Sequence, residues 1–188
     1  MPVNILNTTT LSAAITTDQV RFAVGSTANI SVGNILVVRS EAMIVQEIPI
    51  SGQVVVTRGW NGTAAYAQPS GQKVWIGSPD KFQALVDSAN GLVGNPGTNP
   101  PYMLPGSVVA DGAGNEFLLV ELTQTVVPGA TVVVSRAGNF TASVAIDDVE
   151  GPRGVITEDC SSDQYTWIQR VGFNAHVKLV GGSSLVTS

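Results

Sequence analysis

Apolar and polar residues alternate along most of this chain in short runs, and Gly, Asn and Ser separate the runs, a pattern of β-strands joined by tight turns. Gln19, Val20, Arg21, Phe22, Ala23 and Val24 alternate as a half-buried strand does, and Gly25 and Ser26 end the run. After a turn at Gly33 and Asn34, Ile35, Leu36, Val37 and Val38 are apolar on both faces, which predicts a central strand. Residues 40–46 and 53–58 repeat the alternation around a turn at Ser51 and Gly52, so a meander or small barrel is expected. Gly59, Trp60, Asn61, Gly62 and Thr63 make a tight glycine-rich turn, and residues 73–76 close this first module. Ahead of it, residues 4–17 are rich in Thr, Asn and Ser with Ile5, Leu6, Leu11 and Ile15 interspersed. They fit an extended arm or a first edge strand.

The period then changes. Ser78 suits an N-cap, Pro79 fits a first turn, and Asp80 favours the positive end of the dipole. Phe82, Leu85, Val86 and Ala89 fall on one helical face, and Asn90 and Gly91 tolerate a left-handed cap, so a helix over 81–90 is predicted. Residues 94–101 follow, with three prolines and two glycines, where regular structure lacks both periodicity and backbone donors. The expected architecture is therefore mainly β, with two small β-barrel-like or β-sandwich-like modules joined by a short helix and a Pro/Gly-rich linker. The boundaries are 1–77, including an arm over about 1–17, then 78–106 for helix and linker, then 107–188.

Parts of the second half echo the first. Residues 53–64 align without gaps on 131–142 with seven identities, and the turns before residues 35–38 are echoed by those before 116–120. A duplicated β unit and a chance recurrence of strand-and-turn chemistry both account for this. Residues 154–156, 165–171 and 175–179 read as three further strands, Gly172, Phe173 and Asn174 as a turn, and 181–184 as a frayed end.

With 44% hydrophobic and only 12% charged residues, the surface must be covered by Ser, Thr, Asn, Gln and Gly, which suits packing against other surfaces. A formal net charge of −5 and nine scattered Lys and Arg argue against a phosphate-binding footprint, so no nucleic-acid partner is expected. No apolar run approaches the roughly 18 residues needed to span a bilayer, so no membrane insertion is expected. The single cysteine excludes an internal disulfide, the first four residues lack a secretory profile, and a reducing cytosol is the expected site of synthesis.

The search for chemistry is mostly negative, and neither an enzyme nor a cofactor is expected. His176 stands on the polar face of an alternating run and reads as a solvated strand residue. Cys160 has acidic neighbours, Glu158 and Asp159, which raise a thiol pKa and disfavour a reactive thiolate. Asp111 with Asn115 and Glu116, and Asp147 with Asp148 and Glu150, offer oxygen ligands. Neither group has EF-hand spacing, and the first is ordinary turn chemistry. Trp60 in its turn is either a staple over a neighbouring strand or an exposed platform for a sugar ring or a partner, whereas Trp75 and Trp167 read as core or subunit interface.

Two stretches carry a resemblance. Residues 54–65, which include Thr57, Arg58, Gly59, Gly62 and Thr63, together with Ser40, Glu41 and Met43 upstream, resemble a β module of tailed-bacteriophage virion proteins that commonly reads s-E-x-M-x-V followed by V-T-R-G-x-x-G-T-A-A-x-x-H. Ala67 or Gln68 stands where that pattern often has its final His. Residues 154–156 with 165–172 are similar to the closing strands of small phage capsid decoration proteins, often G-V and then G-W-V-Q-x-x-G. The matches cover somewhat over half of the chain. The resemblance implies a non-catalytic capsid decoration or cement protein on the exterior of the virion, made in the host cytoplasm. It would bind the major capsid protein and assemble as a homo-oligomer, a dimer or a trimer. Alternatives are a virion-displayed module for carbohydrate or a host-surface glycan, with Trp60 as platform, and a tail or baseplate component. Residues 4–17 are the candidate strand for adding to a partner's sheet edge, and their deletion is expected to leave the fold intact. The candidate partner-binding residues are Asn4, Ile5, Leu6, Leu11, Trp60 and Trp167.

Overall fold

The computed structural model describes residues 3–93, 102–135, 140–144 and 152–172. The protein is mainly β, with a closed five-stranded barrel, a curled half-barrel sheet and one α-helix among the described residues. Contacts divide it into two compact units. One comprises Leu6–Val86 and Asn99–Tyr102; the other comprises Met1–Ile5, Asp87–Thr98 and Met103–Ser188.

The strands in chain order are β1 (Val3–Asn4), β2 (Asn7–Thr10), β3 (Arg21–Ala23), β4 (Ile35–Val38), β5 (Glu41–Glu47), β6 (Gln53–Thr57) and β7 (Lys73–Gly77). After helix α1 (Pro79–Val93) come β8 (Val108–Ala110), β9 (Glu116–Leu122), β10 (Thr131–Val134), β11 (Thr141–Val144), β12 (Arg153–Ile156) and β13 (Gln164–Val171).

In the first unit the sheet order is β2-β7-β4-β5-β6-β3, antiparallel throughout. β4 is buried at every position, as its two apolar faces require. A register shift between Val45 and Glu47 bends β5, and the sheet curls until its two edges meet at a bridge between Leu11 and Val24. There the Ser12 N–H donates to the Ala23 carbonyl at 3.1 Å and the Gly25 N–H to the Thr10 carbonyl at 2.9 Å. Leu11, Phe22, Leu36, Met43, Val54, Val74 and Ile76 fill the concave side.

Of the two expectations for residues 4–17, an extended arm and a first edge strand, the structure bears out the edge strand over Asn7–Thr10. Asn7–Thr10 pairs with β7 as an edge strand, while Leu6, Leu11 and Ile15 are buried. Val3 and Asn4 pair instead with Tyr165 and Gln164 of β13, in the other unit. Both stretches pair along one side with a strand of this chain, so deleting 4–17 removes built parts of both units rather than a free appendage.

In the second unit, β13-β12-β10-β11-β9 closes on itself through the β13–β9 pairing, and every joint is antiparallel except β9–β11. β1 lies along β13 and β8 along β9. Leu118, Val120, Leu122, Val132, Val134, Ile156 and Ile168 fill the interior. β13 is buried on both faces over Tyr165 to Gln169, and the Trp167 indole N–H donates to the Ser88 hydroxyl at 2.9 Å.

Helix α1 carries its buried face where the periodicity put it, on Phe82, Leu85, Val86 and Ala89. It starts where Ser78 and Pro79 place its start, with the Ser78 carbonyl accepting from the Lys81 N–H at 3.1 Å, but it runs past the expected end at Asn90 and Gly91 to Val93. The contact division falls within it, after Val86, rather than at the linker. The segments that echo one another place their valines in β6 and β10, but the two sheets differ in strand order and only one holds a parallel joint. The second copy of the echoed turn, at 136–139, lies outside the described residues. The predicted strand at 175–179 and the end at 181–184 lie outside the described residues, as do Phe173 and Asn174 of the expected turn.

Candidate functional site

The least expected feature of the first unit is a charge in its interior. Glu41 opens β5 with no exposed surface, and Arg58, the residue after β6, lies against it with its side chain 7% exposed. Arg58 Nε donates to Glu41 Oε1 at 2.6 Å and Nη2 to Oε2 at 2.8 Å, a two-pronged pairing that lysine cannot make. The remaining guanidinium N–H groups reach backbone carbonyls: Nη1 to Thr16 at 2.7 Å and Gln19 at 2.9 Å, and Nη2 to Tyr66 at 2.7 Å. All five donors of the guanidinium are thereby used.

The carboxylate is equally occupied. Its Oε2 also accepts from the Tyr66 N–H at 3.1 Å, and the Gln68 side chain bonds to it as well. Burial pushes the Glu41 carboxyl up, but the hydrogen bonds from Arg58, Tyr66 and Gln68 and the Arg58 charge outweigh it and hold the group below its ordinary value. Gln68 is buried, and its Oε1 has no partner among the described residues. The pair ties β5, the end of β6, the segment at 16–19 and the segment at 66–68 into one node.

On this node stands a surface knuckle, Trp60–Gly62. Gly59, Asn61 and Gly62 have φ of 63°, 54° and 79°, so the chain reverses through left-handed conformations that Gly and Asn tolerate. A Cβ at Gly59 would lie 2.8 Å from the Thr63 carbonyl oxygen, so glycine is required there for space as well as for φ. The Thr63 hydroxyl accepts from the Ala42 N–H at 3.1 Å and lies 2.9 Å from the Trp60 carbonyl as its donor, which locks the knuckle to β5.

Trp60 is 40% exposed and borders a small cavity of about 100 Å³ with Asn61, Pro79, Phe82, Gln83 and Tyr102. Tyr66, on the segment tied to Arg58, is 51% exposed. Apolar side chains face outward here while every charge beneath them is internally paired.

The other expected partner-binding residues are dispersed. Asn4 is paired in β1, Ile5 is half-buried, and Leu6, Leu11 and Trp167 belong to the chain's own interior, because each finds an apolar neighbourhood or hydrogen-bond partner inside its unit. Trp75 is half-buried, with Lys73 Nζ 4.7 Å from its ring centroid. Sequence reasoning passed over Glu41, Arg58, Tyr66, Gln68 and Tyr102 as site residues. The signal for the first two was a lone carboxylate and a lone guanidinium at the ends of apolar strands in a chain of low charge.

The remaining chemical candidates resolve as structure. Asp111 Oδ1 accepts from the N–H groups of Ala113 and Asn115, both at 2.9 Å, and Oδ2 from Asn115 Nδ2 at 2.6 Å, which hold its carboxyl below the ordinary value and make it a turn cap. No group of three or more metal-ligating side chains occurs among the described residues. Cys160 lies in the barrel interior, not on a loop surface. Burial, aided by the Glu158 charge, pushes its thiol up to about 11. His176, Asp147, Asp148 and Glu150 lie outside the described residues. No described helix is long and apolar enough to cross a membrane. No protein-family model matches this chain, and no curated protein matches it.

Proposed function

We propose that this chain is a structural protein of a tailed-phage virion, a decoration or cement protein that binds the major capsid protein lattice without catalysing a reaction. One observation carries the reading. Of the motif resembling virion proteins, Gly59 and Thr63 shape and anchor the Trp60–Gly62 knuckle at the surface, and Glu41 and Arg58 form the internally paired buried node next to it. A motif spent on presenting apolar side chains over internally paired charges supports recognition rather than bond chemistry. The low overall charge fits the same reading, since apolar and amide-rich surfaces dock with little charge desolvation. On a lattice, many weak contacts per particle add through multivalency.

Quantitative mass spectrometry of virions purified from the phage that encodes the chain tests it. Copies on the order of hundreds per particle are expected for a lattice-bound protein. A few copies would move it to the tail or a vertex, and absence would overturn the reading.

The cavity beside Trp60 favours a second reading, a glycan-binding module, because aromatic rings and the amides of Asn61 and Gln83 together suit a sugar face. Trp60→Ala separates the two. Loss of glycan binding with unchanged particle occupancy supports the second reading, and loss of occupancy supports the first.

A further inference from the structure

At one end of the barrel a cleft of about 280 Å³ remains open to solvent. Val108 and Leu118 are direct cross-strand partners and so share a face. Val134, Phe140 and Pro152 continue the apolar lining, and Arg170 supplies the only charge among the described lining residues. Phe140 adopts φ of 50°, and its ring packs where a side chain at Gly106 would otherwise stand, since a Cβ there would lie 2.5 Å from the ring. The cleft wall therefore depends on a glycine and a left-handed aromatic residue. Val108 and Phe140 are left 49% and 37% exposed. Arg170 is exposed and makes no ion pair among the described residues.

We infer that this cleft is a docking site for a partner polypeptide, seating one aliphatic anchor side chain whose neighbouring carboxylate pairs with Arg170. The inference rests on the reading of the chain as an assembly protein. Charge complementarity selects the acid: in a chain of net charge −5 the cleft presents, beside apolar surface, a cation that has no ion-pair partner among the described residues. The size admits an anchor side chain. At about 30 Å³ per water, the cleft has room for roughly nine waters, enough for a leucine-sized group and a carboxylate. A tethered anchor needs only a shallow seat, because its other contacts share the cost of immobilisation.

The test uses the full chain, free in solution, with methyl NMR of Val108, Leu118 and Val134. The probes are N-acetyl-Leu-Asp-amide, its Asn counterpart, N-acetyl-Ala-Asp-amide and octanoate. The Leu-Asp probe is expected to shift those methyls saturably at millimolar concentration. The Asn counterpart should bind about two- to fivefold more weakly, the scale of a partly exposed ion pair, and the Ala-Asp probe more weakly still. Arg170→Gln should erase the Asp preference. Val108→Asp should abolish binding, and both positions are exposed enough for the fold, checked by circular dichroism, to persist.

Equal binding of the Asp and Asn probes overturns the inference. So does an absence of shifts with either peptide, and so does saturation by octanoate alone, which would make the occupant a free amphiphile. Because no particle enters the assay, peptide binding by a chain absent from virions would sink the virion reading alone, whereas a peptide null with abundant virion copies would sink this site alone.

Discussion

Replacing Arg58 by Met tests the central node of the first unit. The guanidinium satisfies the fully buried Glu41 carboxylate through two hydrogen bonds and caps the carbonyls of Thr16, Gln19 and Tyr66. Met has similar length but donates nothing, so the variant leaves a buried carboxylate with only the Tyr66 N–H and the Gln68 side chain. Breaking a buried pair from one side costs about 3–5 kcal/mol, a large part of the stability of a small domain. Glu41→Leu combined with Arg58→Met removes the orphaned charge, and about half or more of the loss should return. Urea unfolding monitored by the amide resonances of β4 and β5 reads the first unit alone and gives both numbers. A single variant within about 0.5 kcal/mol of wild type, or a double variant no better than the single, would refute the reasoning.

The same node sets a pH dependence. Glu41 has a folded pKa below its unfolded value of about 4.3, so its contribution is complete above that pH and is lost as pH falls through the folded value. The stability advantage of wild type over Glu41→Gln should be full at pH 6 and shrink below about pH 4, whereas a gap constant down to pH 3 would contradict the assignment. In the second unit Cys160, buried with its thiol raised to about 11, should ignore a disulfide reagent at pH 8 in the native protein and react on unfolding in urea; immediate reaction would place it at the surface. Ser88→Ala removes the acceptor of the Trp167 indole N–H and should cost about 1–2 kcal/mol in second-unit stability, while a neutral result would mean water replaces the hydroxyl. Gly59→Ala meets both a positive φ and the Thr63 carbonyl oxygen, and a loss of about 2 kcal/mol or more in thermal unfolding is expected; an unchanged midpoint would mean the knuckle can relax.

Legibility in the sequence followed the burial of each element. β4 through β7 announced themselves because one or both faces are apolar and the turns between them use Gly, Asn and Ser. The face of α1 was legible for the same reason, but its end was not. Gly91 only permits a left-handed cap, and here no positive φ is adopted at that position. β2 was ambiguous because Asn7, Thr8, Thr9 and Thr10 form an edge whose side chains stay largely exposed, leaving no alternation to read. β1 could not be found at all, since two residues have no period and their pairing with β13 is decided by tertiary structure.

Long-range partners hid the site as well. Glu41 and Arg58 look like ordinary polar strand ends, and only the register of β5 on β6 brings them into contact. Leu6, Leu11 and Trp167 carried the opposite error. An apolar residue in a polar-rich stretch reads as an exposed anchor until the curled sheet or the barrel is seen to enclose it.

The pairing of β13 has a consequence for how the chain is made. Every strand of the first sheet lies within residues 7–77, well ahead of the barrel strands, so that unit can gain its structure while the rest of the chain is still being translated. The barrel has no such freedom. β9, β12 and Val3–Asn4 all pair with a strand spanning 164–171, so the first described strand waits for the last described one. Until then β9 holds an unpaired, apolar flank, and synthesis of β13 sets how long that aggregation-prone edge stays open.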